Sequence, residues 1–357
     1  MTQVAVMDAR ASSARAVESK RTLDTVASLL AKGEIHLEKH QFSDALDCFN
    51  LALCLDEKNQ QAQLGLNRAH CQIIPRWHFE MLNDEQRNAA FQQALTNLVT
   101  PETIVLDIGS GTGLLAMMAA HAGAKEIITC EMVPQLAELT RDTIALNGFA
   151  DRIVTLDKKS TALAIGGQMR HKANLLVTET VDCGLLGEGI ALSIAHAKEH
   201  LLTEDAQIVP CDATVYAMVV ESPRLRNLNY ARTAAGFDVS LANRYVTSYY
   251  FPVRLAAFEY TALTDPFEVF RFDFANGTIV AESKTIEVSA KHDGVGQCIV
   301  FWFNMQLDEE NAISNEPGST THWEQALQCL DMDTPVRAGD TLLVNAEHDC
   351  HLINFKL

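Results

Sequence analysis

The sequence predicts three architectures in succession: an N-terminal α-helical repeat, a doubly wound parallel α/β domain, and an antiparallel β-barrel domain. Three observations carry this. A helical pattern of small and apolar residues holds from residue 23 to residue 74. From Thr103 onward, apolar runs of strand length alternate with helical ones. After Pro210 the chain changes to strand-like runs separated by turns. A chain of 357 residues that is 48% hydrophobic and 21% charged has room for two or three such domains, each with its own core.

The bulk composition also excludes some partners. A formal net charge of −18 argues against a general binder of phosphate backbones, so no direct nucleic-acid contact is expected. It fits either a cationic partner or simply a soluble acidic protein. The nine cysteines are scattered and none forms a CxxC pair, so no metal is expected and the setting reads as reduced, cytoplasmic or nuclear. Residues 1–24 lack an apolar signal core, and Asp8 and Glu18 weaken a transit-peptide reading. No apolar run approaches the length of a membrane span, so no membrane is expected as a partner.

Residues 1–22 read as a flexible lead-in. In residues 23–74, Gly33, Ala45, Phe49 and Ala52 have the spacing of one tetratricopeptide repeat, two antiparallel helices brought close by small residues. Residues 60–74 form a third helix that caps the pair. One repeat cannot bury its own face, so it docks on the rest of the chain or belongs to a longer array; a plain helical hairpin is the alternative. Pro75 breaks the helices, and residues 77–98 form a further amphipathic helical stretch. The α/β domain, residues 75–209, then reads strand "TIVLDIG", helix "LLAMMAAHAG", strand "EIITCE", helix "PQLAELTRDTIALNG" and strand "NLLVTE". In the β domain, residues 210–357, the strands are "TVYAMVV", "FEVFRFDF", "TIVAES", "CIVFWFNMQL", "TLLVNAE" and "HLINFKL". Residues 222–250 are less patterned and read as an inserted arm.

The first motif with chemical content is "VLDIGSGTG". Its glycines, Gly109, Gly111 and Gly113, follow a strand and precede a helix, but position 114 is leucine where a dinucleotide fingerprint needs glycine, and no Walker lysine follows. The spacing lets the backbone pass close under a ligand without forming a pyrophosphate cradle. Asp107, Glu131 and Glu179 lie at strand ends, where ligands bind in such sheets. A carboxylate in the position of Glu131 accepts hydrogen bonds from ribose hydroxyls. Together these features favour S-adenosylmethionine over a dinucleotide.

With these motifs in order, the chain from residue 77 to its end resembles the protein arginine N-methyltransferases. "HFEMLNDEQR" (78–87) is similar to the family's cofactor-covering helix, "VLDIGSGTG" to its first motif, "VTETVDCGLLGEG" (177–189) to its double-glutamate loop, and "THWEQ" (321–325) to its THW loop. The loop sequence and the tetratricopeptide-like helices resemble branch nine, or else branch seven. Those relatives usually carry a second, degenerate module, so the chain reads either as a single-module member or as a piece of a longer one. The resemblance implies a Rossmann-like methyltransferase fold, with Arg87 on the cofactor's methionine carboxylate, His78 and Met81 lining the site, and Glu131 on the ribose. Where many relatives have an acidic residue near the adenine, this chain has "LDKKSTAL", so that a backbone or hydroxyl contact, from Ser160, replaces it.

The double-glutamate loop holds Glu179 and Glu188 with no lysine or arginine among them. An arginine substrate is a planar cation with pKa above about 12, whose forked donors suit carboxylates. Two carboxylates can grip it from two edges, leave one terminal nitrogen aimed at a methyl group, and keep lone-pair density on it. Orientation of that kind can contribute roughly 7–11 kcal/mol. Asp182 within the loop is read as a turn residue and not as a third acidic contact. By resemblance His322 pairs with Asp84, a dyad able to tie the site together and accept a proton, and Trp323 shapes the substrate pocket.

The sequence thus predicts methyl transfer from S-adenosylmethionine to a guanidinium nitrogen of a protein arginine, giving monomethyl or symmetric dimethyl arginine. The acidic charge suits Arg/Gly-rich or RNA-binding protein substrates, and by resemblance the arm at 222–250 supports a homodimer. The rival readings are an inactive scaffold using the helical repeat and a methyltransferase on a non-arginine substrate.

Overall fold

The computed structural model describes the chain from residue 3, and its side chains from residue 20. Two compact units are present: residues 1–79 with 133–136, and residues 80–132 with 137–357.

In the first unit three helices follow one another, α1 (Gln3–Glu38), α2 (Phe42–Leu55) and α3 (Gln60–Ile73). Their packing centres on the fully buried ring of Phe49. A Cβ added to Gly33 on α1 would come within 2.6 Å of that ring, and one added to Gly65 on α3 within 2.4 Å. Neither neighbouring backbone could approach so closely with a side chain in the way. Ala45, Ala52, Ala62 and Ala69 are fully buried at the same seams. Asn59 caps α3 by accepting a hydrogen bond from the Ala62 amide at 3.0 Å. The lead-in expected to be flexible is instead helical from Gln3. Its alanine-rich sequence has neither glycine nor proline before Gly33, so nothing in it stops α1. Met1 and Thr2 lie outside the described residues.

The helical stretch expected across residues 77–98 divides into α4 (Trp77–Leu82) and α5 (Glu85–Leu98). Asp84 divides them, its Oδ1 accepting from the Arg87 amide at 2.9 Å as the N-cap of α5. The α/β sheet of the second unit contains β1 (Ile104–Ile108), β2 (Glu126–Glu131), β3 (Ile153–Asp157), β4 (Ala173–Thr178) and β5 (Leu202–Val209). They are all parallel, in the order β3-β2-β1-β4-β5. The crossovers contain α6 (Leu114–Ala122), α7 (Pro134–Leu146) and α8 (Ile190–His200). The order reverses between β1 and β4, which makes the carboxyl ends of these two strands the place where such sheets bind ligands. The edge strand β5 went unread in the sequence because its middle, "TEDAQ", is polar and not buried.

After Val209 the chain enters a seven-stranded antiparallel sheet whose central strand, Gly294–Gln306, lies between β6 (Asp212–Glu221) and Gln325–Val336. A three-stranded sheet, Glu282–Ser289, Thr341–His348 and Ile353–Lys356, completes the barrel-like half. Phe270, Phe274, Phe301 and Phe303 are fully buried in its core. One expected strand shifts: most of "TIVAES" is irregular and the strand begins at Glu282, the exposed Val280 having no core to enter. Residues 222–250 contain a short helix, Pro223–Arg226, a two-residue ladder and a 3-10 segment, Ser240–Tyr245. This stretch exposes Phe237, Leu241 and Tyr245.

Candidate active site

Gly109, Gly111 and Gly113 all have positive φ, which a side chain resists. At Gly109 a Cβ would also meet Thr180 Cγ2 at 2.6 Å, so the turn brings the ends of β1 and β4 close together. The turn is pinned from two sides. Thr140 Oγ1 on α7 donates to the Gly111 carbonyl at 2.8 Å, and the Gly111 amide donates to Glu131 Oε2 at 3.2 Å. Under it, Thr129 Oγ1 donates to Asp107 Oδ2 at 2.7 Å and also bonds Ser110 Oγ. Asp107 is fully buried, and that burial, reinforced by Glu131 and Glu179 against the opposing Thr129 bond and Arg87, pushes its carboxyl up to about 7. Glu131, at the end of β2, is buried beside the glycine turn.

Glu179 follows β4 directly. It is not the unpaired carboxylate its loop suggested: Arg87 Nη2 donates to its Oε2 at 2.6 Å, and both side chains are nearly inaccessible. The partner comes from α5, 92 residues earlier, so the local sequence could not reveal it. Two buried atoms near this pair, Arg87 Nε and Asp107 Oδ1, have no hydrogen-bond partner among the described residues. With the glycine turn they form a cradle that fits a small zwitterionic ligand: a donor for a carboxylate, an acceptor for an ammonium, and backbone with no Cβ in the way.

The rest of the loop is held by Asp182. Its Oδ1 accepts from the Gly187 amide at 2.9 Å and the Gly184 amide at 3.2 Å, which bears out the turn reading. A Cβ at Gly187 would lie 2.3 Å from the Asp182 carboxylate, and Leu185 is forced to a φ of 81°. Glu188 is exposed at the loop's far end. Loss of hydration, then the Glu179 and Asp182 carboxylates, push its carboxyl up to about 8. Solvent reaching the exposed side chain screens part of this push.

The THW loop closes the arrangement. His322 Nδ1 lies 2.9 Å from Asp84 Oδ2, and the His322 amide donates to the same oxygen at 2.7 Å, so the expected pairing is present. Burial works to raise the Asp84 carboxyl, but bonds from the Arg87 amide, the His322 amide and the imidazole outweigh it and hold the group low. Burial also lowers the His322 imidazole, against the opposing pull of Asp84 and Glu179. A neutral imidazole donating Nδ1–H to an ionised Asp84 satisfies both directions. Trp323, expected as a pocket wall, is buried, and its Nε1 donates to the Val181 carbonyl at 3.1 Å. It supports the glutamate loop from behind.

Ser160 is buried at the start of a short 3-10 turn after β3. Met81 is half-buried on α4, and His78, also on α4, is buried but belongs to the helical unit. The structure therefore brings together Asp84, Arg87, Asp107, the three glycines, Glu131, Glu179, His322 and Trp323 through direct bonds or shared partners. The supports that sequence reasoning missed are Thr129, Tyr250, Arg254 and Asn315. Asn315, fully buried, donates to the Cys183 carbonyl at 3.0 Å and to the Glu324 carbonyl at 2.8 Å, linking the two loops. No local motif marks it, because its meaning lies in two carbonyls far from it in sequence.

Comparison with known proteins places this geometry. The family profile described as "Arginine methyltransferase oligomerization subdomain" matches residues 211–352, and that of the "Ribosomal protein L11 methyltransferase (PrmA)" matches residues 90–182. "Arginine N(omega)-methyltransferase" of Streptomyces achromogenes subsp. streptozoticus is 42% identical over 270 residues, 75% of this chain and 75% of that protein. "Protein arginine N-methyltransferase 9" of Xenopus laevis is 33% identical over 356 residues, 89% of this chain but only 43% of that protein. The chain thus spans less than half the length of this vertebrate relative. Among solved structures, the Trypanosoma brucei PRMT1 enzyme-prozyme heterotetrameric complex with AdoHcy superposes with a TM-score of 0.66 at 22% identity, over 76% of this chain and 86% of that one, a likeness of fold. The chain belongs to the arginine N-methyltransferase family, enzymes of methyl transfer to arginine nitrogen.

Proposed function

We propose that this chain transfers a methyl group from S-adenosylmethionine to a terminal guanidinium nitrogen of arginine in a protein substrate, giving monomethyl or symmetric dimethyl arginine. The observation that carries this reading is the juxtaposition, at the reversal point of the sheet, of a glycine turn with Glu131 and a loop bearing Glu179 and Glu188. The buried donor and acceptor atoms of Arg87 and Asp107, the glycine turn, Glu131 and Ser160 would hold the cofactor. When bound, the cofactor would supply an electrophilic sulfonium methyl group for the guanidinium nitrogen, its sulfur keeping the bonding electron pair as the leaving group.

The chain's own residues do the rest. Glu179 and Glu188 bind the guanidinium cation and aim one nitrogen, while Arg87 anchors Glu179 from the opposite side. Asp84 orients His322, which accepts the proton that the methylated nitrogen loses, directly or through water. The net charge of −18 favours basic substrates, including Arg/Gly-rich or RNA-binding proteins, and no direct contact with nucleic acid. The exposed aromatic arm supports a homodimer, and the absence of disulfides among nine cysteines suits a reducing cytoplasm or nucleus.

A second reading has one specific support: the Streptomyces relative is named for arginine, not for protein arginine, so free arginine is a candidate substrate. The test is product analysis. The full chain is incubated with labelled S-adenosylmethionine and either a hypomethylated protein extract or free arginine, and methylated arginines are separated after hydrolysis. Label in protein-derived monomethyl or symmetric dimethyl arginine is expected. Label in free arginine alone supports the second reading, and label in asymmetric dimethyl arginine or another residue contradicts both.

A further inference from the structure

One short stretch at the stem of the arm touches both functional loops. Tyr250, the last residue of the arm, donates its hydroxyl to Asp182 Oδ2 at 2.8 Å, while the other oxygen of Asp182 gathers the Gly184 and Gly187 amides. Its buried ring stands edge-on to Phe301, with centroids 5.0 Å apart. It also lies so close to the loop that a Cβ on Gly184 would come within 2.5 Å of it. Four residues on, Arg254 donates from Nη1 to the Thr321 carbonyl and from Nη2 to the His322 carbonyl, each at 3.2 Å. Between them, strand Phe251–Val253 pairs antiparallel with residues 325–327, which begin at the last residue of the THW loop.

We infer that Tyr250 and Arg254 are positioning residues, which together set the glutamate loop and the THW loop in register from the stem of the arm. The inference rests on the assignment of Glu188 and His322 to the reaction. Neither residue needs to touch substrate. Tyr250 acts through Asp182 on the amide next to Glu188, and Arg254 acts through the carbonyl of His322 itself. Because both hang from one strand, a partner that grips the arm acts on both loops at once.

The test compares the full-length protein with Tyr250→Phe, which keeps the ring packing and removes only the hydroxyl, and with Arg254→Gln. Hydrogen–deuterium exchange and steady-state methyl transfer are measured on each, with cofactor affinity by calorimetry. In Tyr250→Phe, amides at 183–189 are expected to exchange at least tenfold faster. The kcat should fall about tenfold or more while cofactor affinity stays within twofold. In Arg254→Gln the same pattern is expected with exchange rising at 320–324. If Tyr250→Phe is poorly folded, Asp182→Asn, which keeps an acceptor for the Gly187 amide, replaces it with the same expectation. Unchanged exchange overturns the inference, and so does faster exchange with an unaltered kcat. A wild-type protein that binds cofactor but methylates no arginine overturns the functional assignment instead, and the exchange data then decide the bracing by themselves.

Discussion

Arg87 and Glu179 form an ion pair at 2.6 Å with 3% and 6% of their side chains exposed. In the proposed reading one residue holds the cofactor's carboxylate and the other the substrate's guanidinium, so the two sites would share this charge pair. Removing either partner leaves a buried charge without its counterion, which typically costs about 3–5 kcal/mol. Glu179→Gln is therefore expected to lower the thermal midpoint by several degrees. S-adenosylmethionine should raise the midpoint of this variant more than that of the wild type, because its carboxylate gives Arg87 a new partner. Equal midpoints of variant and wild type without cofactor would contradict the pairing.

The raised Glu188 carboxyl predicts a pH dependence. Its folded pKa of about 8 lies above the ordinary carboxylate value, so the free protein holds it largely protonated below that pH. A guanidinium needs the ionised form. The kcat/KM for an arginine peptide should rise with pH through about 8 and level off above it, and Glu188→Gln should flatten the curve. Linkage has the opposite sense: the contribution of this group to stability is present at acidic pH and is lost as pH rises through about 8. Solvent at the exposed side chain tempers that second effect, so the kinetic profile is the sharper check.

Gly109 combines a φ of +86° with 2.6 Å between a would-be Cβ and Thr180. Gly109→Ala has to adopt a strained left-handed backbone, roughly 1–2 kcal/mol, or shift the turn away from Thr180. Cofactor affinity measured by calorimetry should fall at least tenfold, the equivalent of about 1.4 kcal/mol. Affinity within twofold of the wild type would show that the turn is not the cofactor's cradle.

In the helical unit, Gly33→Ala and Gly65→Ala each drive a methyl group into the Phe49 ring. Overpacking of this kind destabilises by about 1–3 kcal/mol. Faster limited proteolysis within residues 20–74 is expected for each variant, and unchanged proteolysis would mean that the helices yield without loss.

The strands β1, β2 and β4, the glycine turn and several barrel strands were legible because they rest on short-range patterns, whereas β3 and strand Gln325–Val336 were not read. "VLDIGSGTG" announces a strand, a turn and a helix within nine residues, and the structure closes that turn under Thr140 and Glu131. The spacing of Gly33 and Phe49 likewise announced a close helix pair, though Gly65, which meets the same ring, was not singled out. What stayed hidden depends on residues brought together from a distance. Arg87 is 92 positions from Glu179, and Tyr250 is 68 from Asp182. The loop's apparent excess of negative charge was local, and a helix far upstream compensates part of it. Polar β5 and helical residues 3–22 were missed for another reason: tertiary packing in the first case, and the lack of any helix breaker in the second, outweighed weak local patterns.

Glu179 and Glu188 are proposed to bind and orient the guanidinium together. The most direct measurement is single-turnover methyl transfer to an arginine peptide by the wild type and Glu188→Gln, with cofactor affinity measured in parallel. Glu188→Gln removes one grip on the cation without touching the Arg87 pair. A loss of at least a hundredfold in transfer rate is expected, with cofactor affinity unchanged within twofold. Transfer at the wild-type rate by a variant that still binds cofactor would contradict it.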